Sequence, residues 1–385
     1  MNADVHYFQI ASTLSNVCGI LQRAEEGDDL RFHFDELQGQ VVTASGEVFQ
    51  EYHRVVTQKL LEERFSWVKS PPCAKTVTDA IIYAAMQSRR DPVKEYLQGL
   101  TWDKIPRIHN LLTGYMGASA RNKALRQAQS SSIMLSAVGR VLSPGTKVDT
   151  MPVLVGRQGL GKSSAIRALV PNADWFSDTP IDLRSKDAYI SLDGKWIIEV
   201  AEMQSMISQS HASQKAFLTS QSDTYRRPYA KTAISHKRRS IFIGTSNDLQ
   251  LTDSTGSRRF WPIVMKDKPD LKKLVDDRDQ LWAEAFARWC VDGTHFNADI
   301  EATAEYQEEK ELFGTYDPWE DIIVDYWSRH RAAFPLERLF EHMDIKQRER
   351  TKSQQLRLTR LLKAQGFVKT RKRGQGKRQY LWSKS

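Results

Sequence analysis

The sequence has few cysteines and no long apolar run. Its three cysteines, Cys18, Cys73 and Cys290, are far apart and share no Cys-x-x-Cys spacing. This pattern argues against structural disulfides and zinc clusters and is typical of a reducing compartment. No apolar stretch approaches the ~18 residues of a membrane span, and residues 1–16 lack the charged and apolar regions of a secretion signal. We therefore expect a cytoplasmic protein whose 385 residues form about two or three domains.

A net excess of positive charge is absent from most of the chain and is confined to its end. From Arg329 to Ser385 there are 17 Lys and Arg against 4 Asp and Glu, a net charge of +13, whereas the whole chain carries +9. The preceding residues therefore sum to −4. A cationic C-terminal module on a nearly neutral body indicates a polyanionic partner, and DNA is the partner that we expect.

A glycine-rich segment follows a strongly apolar stretch in the middle of the chain. Residues 151–155, MPVLV, predict a buried strand, and residues 156–163, GRQGLGKS, fit the G-x-x-x-x-G-K-[ST] phosphate-binding loop. In such a loop the backbone N–H groups surround a triphosphate, Lys162 reaches its β- and γ-phosphates, and Ser163 offers a hydroxyl to Mg²⁺. The sequence thus predicts ATP and Mg²⁺ as cofactors. The expected nucleotide contacts are Gly156, Gln158, Gly159, Leu160, Gly161, Lys162, Ser163 and Ser164.

A second apolar run, residues 196–202 (WIIEVAE), carries two carboxylates. Carboxylates at the end of a buried strand beside a phosphate loop hold Mg²⁺ and polarise the attacking water. The usual acidic pair is adjacent, but aligning Glu202 with the catalytic acid places Ala201 where an Asp is expected. Glu199 lies on the same strand face as Ala201 and is the candidate for the metal. The alternative is that Glu199 is an exposed side chain on an edge strand.

Cations and aromatic residues then alternate in a predicted hairpin, whose arms are residues 225–231 and 234–239. Such a mixture suits a nucleic acid, because cations meet phosphates while Tyr stacks on a sugar or base. A merely solvated hairpin is the alternative. The predicted DNA contacts here are Arg227, Tyr229, Lys231, His236 and Lys237.

The C-terminal residues predict three helices followed by a basic hairpin, a pattern that resembles a winged helix-turn-helix. The third helix, residues 354–365, would present Gln354, Arg357 and Arg360 to the major groove. The wing would hold DNA phosphates through Arg371, Lys372, Arg373, Lys377 and Arg378.

Five motifs in order, GRQGLGKS, GKWIIEVAEM, RRPY, IFIGTSND and DSTGSRRFWPI, resemble the virulence-associated E family of phages and genomic islands. That family is similar to superfamily 3 helicases of the AAA+ class. The resemblance implies a hexameric ring ATPase that translocates on or unwinds DNA during replication of a mobile element, often with a linked primase or polymerase. Residues 1–90 show neither an acidic primase constellation nor a zinc-binding cluster, so primase activity in this chain is not expected.

The resemblance also implies roles for single residues. Lys162 and Ser163 bind the nucleotide, and Glu199 and Glu202 serve Mg²⁺ and water. Asn247, at the end of the strand pattern 240–247, orients the hydrolytic water. Two arginines on a predicted turn, Arg258 and Arg259, are the candidates for a finger that reaches the neighbouring subunit's γ-phosphate.

The predicted fold class is α/β, a phosphate-loop AAA+ core with a mostly helical N-terminal region. The predicted parts are an accessory region of unclear role (1–90), a helical collar-like segment (91–145), the ATPase domain (146–295), a linker (296–316) and the winged helix (317–385). Two alternatives in function stay open. The chain could be an origin-binding initiator that uses ATP as an assembly switch, or an interaction protein that blocks a rival's replication.

Overall fold

The structure is a computed structural model that describes most of the chain. The described residues are 9–181, 187–201, 203, 211–226, 233–247, 259–292, 300, 303–306, 318–343, 345–374 and 377–384. The chain divides into two compact units, the first comprising residues 1–246 and 259–300, and the second residues 247–258 and 301–385. In the described part, no helix is both long and apolar enough to cross a membrane.

The first unit begins with a small α/β region. Its elements are β1 (Ile10–Ala11), α1 (Leu14–Arg23), β2 (Phe32–Asp35), β3 (Gln40–Thr43), α2 (Glu51–Arg64), β4 (Trp67–Val68), α3 (Ala74–Gln87) and β5 (Arg89–Arg90). Strand β2 pairs with β3 antiparallel and with β5 parallel. The helices bury Val17, Leu61 and Ile81 in a core of their own. After β3 the chain turns back on itself, and the N–H of Phe49 donates to the carbonyl of Val41.

The remainder of the first unit alternates strands with helices. Its elements are α4 (Pro92–Gly99), a 3₁₀ turn (Ile108–Asn110), a π-helical turn (Leu111–Tyr115), α5 (Lys123–Leu142), β6 (Met151–Val155), α6 (Lys162–Ala168), a 3₁₀ turn (Ala173–Trp175), β7 (Phe176–Ser177), α7 (Asp187–Ile190), β8 (Ile197–Val200), α8 (His211–Thr219), β9 (Ser222–Tyr225), β10 (Ile234–Lys237), β11 (Ile241–Ser246), β12 (Phe260–Val264) and α9 (Leu271–Asp292).

Five of these strands form one parallel sheet in the order β12-β6-β11-β8-β7. Strands β6, β8 and β11 are buried along their whole length, as expected for the interior of a parallel sheet covered on both faces. Strand β11 lies between the strand that leads into the phosphate loop and the strand that carries Glu199. The fold class is therefore α/β with a parallel sheet, in agreement with the sequence.

The segment predicted as a collar packs into the core of this sheet. Val93 and Leu97 of α4 and Ala137 of α5 share one cluster with Ile197 of β8. The indole N–H of Trp196 also donates to the carbonyl of Ala137 at 3.0 Å. Packing therefore does not set residues 91–145 apart from the sheet, and a collar role stays a prediction.

The second unit contains three helices and a hairpin. Its elements are α10 (Pro318–His330), α11 (Leu336–His342), a 3₁₀ turn (Gln347–Glu349), α12 (Lys352–Ala364), β13 (Val368–Gly374) and β14 (Lys377–Ser383), with β13 and β14 antiparallel. Ile323, Phe340, Leu358 and Trp382 meet in its core. The predicted order of three helices and a basic hairpin is confirmed. Most of the predicted linker, residues 296–316, lies outside the described residues.

Candidate nucleotide site and basic hairpins

The phosphate loop has the backbone that its glycines predict. Gly159 and Gly161 have φ angles of +76° and +100°, in the left-handed region that side chains with a Cβ avoid, and Gly161 caps α6. A Cβ on Gly156 would lie 3.1 Å from the carbonyl oxygen of Met265, so a larger residue would press on the chain behind it. The loop therefore joins β6 to α6 in the strand–loop–helix context that makes the motif specific.

Lys162 is folded over the loop that precedes it. Its Nζ donates to the carbonyl oxygens of Gly156 at 2.6 Å and of Arg157 at 3.1 Å. The residue is 8% exposed, and burial lowers the pKa of its amine, while the nearby Glu199 carboxylate acts in the opposite direction. A bound phosphate would offset the cost of burying this positive charge, because it places a negative group next to the amine.

Glu199 is the centre of a buried hydroxyl network. Its Oε1 accepts from the hydroxyl of Ser163 at 2.6 Å and from the hydroxyl of Thr245 at 2.7 Å. The residue is 1% exposed, and β8 lies between β11 and β7. The alternative interpretation of Glu199 as an exposed side chain on an edge strand is therefore wrong. Sequence reasoning missed Thr245, which lies two residues before Asn247 on the neighbouring strand.

These residues fit a magnesium ion. The Oε2 of Glu199 is buried and has no hydrogen-bond partner within the described part of the chain, and the Ser163 hydroxyl lies next to the same carboxylate. Carboxylate and hydroxyl oxygens are ligands that Mg²⁺ accepts. The described residues contain no group of three or more His, Cys, Asp or Glu that could hold a metal. A magnesium ion here would therefore take its other ligands from phosphate and water, as is usual for this ion.

The structure describes only two of the remaining predicted catalytic residues, Asn247 and Arg259. Glu202 and Arg258 lie outside the described residues. Asn247 is exposed and directly follows β11. Arg259 is 7% exposed, so its side chain is buried in this single chain. Which of the two arginines reaches a neighbouring subunit stays a prediction.

A hairpin is present as β9 and β10, and β10 lies within the predicted arm 234–239. The first arm was predicted too late, because β9 is Ser222–Tyr225 and shares only Tyr225 with the predicted arm 225–231. The two strands pair antiparallel, with Tyr225 opposite Ile234 and Asp223 opposite His236. Lys237 is exposed, whereas His236 is half-buried and packs against Gly39, where a Cβ would overlap its ring. Three predicted DNA contacts, Arg227, Tyr229 and Lys231, lie outside the described residues.

The two arginines after β10 do not face solvent. The guanidinium of Arg238 is bidentate to the Asp223 carboxylate, with Nε donating to Oδ2 at 2.9 Å, and it also donates to the carbonyl of Phe217. It lies over the rings of Phe217 and Phe242, 4.8 and 5.3 Å from their centroids. Its side chain is 1% exposed and that of Asp223 is 6% exposed. This pair closes the base of the hairpin against α8 and β11.

Arg239 joins the hairpin to the N-terminal region. Its guanidinium forms ion pairs with Asp91, the N-cap residue of α4, and with Glu36, the latter at 2.9 Å. Burial is the largest effect on the pKa of Asp91 and raises it, while Arg239 acts against that rise. Neither Arg238 nor Arg239 is therefore available to a DNA phosphate in this arrangement.

In the second unit, two residues that were predicted to contact DNA, Gln354 and Arg357, contact other residues of the same unit. The Oε1 of Gln354 accepts from the N–H of Thr351 at 2.8 Å as part of a capping box at the start of α12. The guanidinium of Arg357 lies 4.1 Å from the ring centroid of Trp319. Arg360 is on α12, and the wing cations occupy facing positions in the β13–β14 ladder, with Arg373 opposite Arg378. The other predicted wing cations in this ladder are Arg371, Lys372 and Lys377.

Comparison with known proteins identifies the family. The virulence-associated protein E-like domain matches residues 97–313, more than half of the chain. The chain therefore belongs to the virulence-associated protein E-like family, as the order of the motifs predicts.

Two solved structures show a weaker likeness. They are described as the apo structure of the NrS-1 C terminal region (305-718) and the A form apo structure of the same region. The first is 13% identical with a TM-score of 0.44, and the second is 12% identical with a TM-score of 0.41. In both cases 92% of this chain and 96% of the other are covered. A TM-score below 0.5 does not establish a shared fold. No curated protein matches the chain.

Proposed function

We propose that the chain is an ATP-dependent DNA helicase or translocase of the superfamily 3 type, with an AAA+ core, that acts in the cytoplasm in replication of a phage or mobile genetic element. The observation that carries the proposal is the convergence of Lys162, Ser163 and Glu199 at the carboxyl ends of the interior strands of a parallel sheet. A phosphate loop beside a buried carboxylate is the arrangement that phosphoryl transfer to water requires, because it binds both the triphosphate and its metal.

Within the site, each residue of the chain has a distinct task. Lys162 exchanges its two carbonyl partners for the β- and γ-phosphates. Ser163 and Glu199 would hold Mg²⁺, which when bound would neutralise charge on the phosphate oxygens. Glu202 accepts the proton of the attacking water, and Asn247 orients that water. These assignments follow the family motifs, and the contacts of Lys162, Ser163 and Glu199 support the part that concerns them.

Completion of the site by a second copy follows from the same proposal. An arginine from the neighbouring subunit, Arg258 or Arg259, stabilises the transition state, a contribution worth about 10³- to 10⁵-fold in rate. Sites shared in this way favour a closed ring, and six subunits is the number that the family resemblance implies. A single DNA strand would then pass along the β9–β10 hairpins at the centre.

The second unit is proposed to dock the ring on duplex or origin DNA. Its order of three helices and a basic hairpin suits a winged helix, with α12 at the major groove and β13–β14 against phosphates. No Asp or Glu occurs between Lys352 and Ser385, so the cations of this segment have no carboxylate near in sequence. This charge imbalance supports a phosphate partner.

A strand-displacement assay tests the proposal. Wild type is expected to hydrolyse ATP and separate a forked duplex, and Lys162→Ala is expected to lose both while still binding DNA. Slow hydrolysis without strand separation by the wild type would instead indicate an initiator that uses ATP as an assembly switch. Binding to another replication protein without ATP, and no hydrolysis, would indicate an inhibitor.

Mixing two inactive variants tests the shared site. Lys162→Ala has a defective phosphate loop, and the double variant Arg258→Ala/Arg259→Ala has a defective finger. If one subunit completes the site of the next, some interfaces of a mixed ring are intact and ATP turnover returns. Absence of any turnover in the mixture, with both variants folded and oligomeric, would contradict the shared site.

A further inference from the structure

The position at which an acid is expected beside the catalytic glutamate is occupied by Ala201. In the sheet, Val200 pairs with Gly244, so Ala201 comes one residue further along, beside Thr245. A methyl group cannot bind a metal or hold a neighbouring carboxylate in place. The carboxylate that is present, Glu199, lies two residues earlier and is reached by the hydroxyl of Thr245 across the strands.

Thr245 and Ser163 both donate to the same oxygen of Glu199. Their hydroxyl oxygens lie 2.7 and 2.6 Å from Oε1, while Oε2 is buried and accepts no hydrogen bond from any described residue. Thr245 is 5% exposed and sits in the interior strand β11, so its side chain is fixed by packing. The two donors thus fix the plane of the carboxylate and leave one specific oxygen unused.

We infer that Thr245 is a positioning residue for magnesium: it holds Oε1 of Glu199 so that Oε2 faces the ion or its water shell. This inference rests on the proposed function, because it assumes that Mg–nucleotide binds at the phosphate loop. Hydroxyl donors behind a metal-binding carboxylate orient it, and their loss typically lowers metal affinity about 10- to 100-fold. Thr245 thereby supplies, from the neighbouring strand, the orientation that no second acid at position 201 provides.

A binding titration that needs no turnover tests this role. The affinity of full-length protein for a fluorescent ADP analogue is measured across a range of Mg²⁺ concentrations and in excess EDTA. Thr245→Val removes the hydroxyl and keeps the branched shape. We expect the Mg²⁺ concentration for half-maximal tightening to rise at least about tenfold, with affinity in EDTA unchanged. Thr245→Ser restores the hydroxyl and is expected to lie within about threefold of wild type.

A matched control separates positioning from folding. Thr57 is 1% exposed, and its hydroxyl donates to the carbonyl of His53 in α2 of the N-terminal region. Thr57→Val therefore also deletes a buried hydroxyl but is expected to leave the Mg²⁺ dependence unchanged. Circular dichroism and melting temperature establish that each variant is folded before titration.

The outcomes distinguish this inference from the proposed function. If wild type binds the nucleotide with a clear Mg²⁺ dependence and Thr245→Val behaves identically, the positioning role is wrong and the function stands. An equal loss with and without Mg²⁺, or failure of Thr245→Ser to recover, would also overturn it, since the hydroxyl would not be acting through the metal. If wild type itself shows no Mg²⁺-dependent nucleotide binding, the proposed function fails, and the inference fails with it.

Discussion

Each of the two units contains a hairpin rich in Lys and Arg, β9–β10 in the first and β13–β14 in the second. At the base of the first hairpin, Arg238 and Arg239 are paired with carboxylates and largely buried. In the second, the Lys369 ammonium lies 4.3 Å from the ring of Tyr380, and both residues are exposed. The difference lies in the available acids. Asp223 pairs with Arg238, and Asp91 and Glu36 pair with Arg239. Residues 352–385, which include the second hairpin, contain no Asp or Glu.

This contrast shows that a segment rich in Lys and Arg does not always expose these side chains at the surface. An arginine opposite a buried acid is part of the core and stabilises the fold, whereas an arginine with no acid within reach stays available to a polyanion. We therefore expect substitutions in the first hairpin base to change stability and those in the second hairpin to change DNA binding. The following predictions test this division, starting with the largest effect.

Removal of Arg238 is expected to have the largest effect. Arg238→Met leaves Asp223 as a buried charge without its partner, which costs about 3–5 kcal/mol in the free energy of unfolding. Its neighbour Lys237 is exposed, and Lys237→Met should change the same quantity by less than about 0.5 kcal/mol. Urea unfolding of the full chain measures both. Equal stabilities of the two variants would show that the buried pair is not what closes the hairpin.

Arg239 is expected to give an intermediate effect. Arg239→Met leaves the nearly buried Asp91 without its cation, and we expect a loss of about 2 kcal/mol, because the second acid, Glu36, is partly exposed and stays hydrated. Arg89→Met is a matched control, since Arg89 is half exposed and lies 3.8 Å from the same Glu36. Faster amide exchange in residues 32–43 should accompany only the Arg239 change. The same exchange pattern in both variants would show that the ion pairs of Arg239 do not join the hairpin to the N-terminal region.

For the second hairpin we expect a change in binding without a change in fold. Arg373 and Arg378 occupy opposite positions in the ladder. The double variant Arg373→Gln/Arg378→Gln should lower the slope of log affinity against log salt by about 2, one for each lost phosphate contact, and shift the unfolding free energy by less than about 0.5 kcal/mol. Lys59→Gln on α2, an exposed cation with Glu63 nearby, serves as the charge control. An unchanged slope would show that this hairpin is not part of the DNA-binding surface.

The smallest effect is expected at Lys369. Its ammonium lies over Tyr380 and, at 5.9 Å, over Trp382. Lys369→Met keeps the aliphatic stem and removes the cation–π contact, which at an exposed site is worth about 0.5–1 kcal/mol. Local hydrogen exchange of β13 and β14 reports the loss, with Lys363→Met on α12 as the comparison. A destabilisation as large as that of Arg238→Met would mean that the two hairpins use their cations alike.

The sequence predicts local structure here more fully than it predicts contacts. The phosphate loop between β6 and α6 follows from a strand pattern and a motif, and the third C-terminal helix, predicted at residues 354–365, is observed at Lys352–Ala364. These features depend on residues near one another in the chain. The buried position of Glu199 depends instead on strand order, since β8 becomes an interior strand only through pairing with β11 and β7. That order is set by packing between distant segments.

Thr245 and Asp223 differ in how far the sequence indicates their roles. Thr245 precedes Asn247 by two positions, so the alternation of a strand already placed it on the face of the residue assigned to the water. Asp223 lies before the predicted hairpin, and its pairing with Arg238 becomes visible only when the register puts Asp223 opposite His236. The composition of a segment does not give its strand register, so the sequence alone does not predict this ion pair.

Strand β11 begins at Ile241, two residues after Arg239, and ends at Ser246, one residue after Thr245. Its six residues span roughly 20 Å and are bonded on both edges, to β6 and to β8. The chain between the ion-paired arginines and Thr245 is thus a short strand held on both edges, without a hinge. Displacement of one end of this segment is therefore expected to reach the other end as translation rather than as bending.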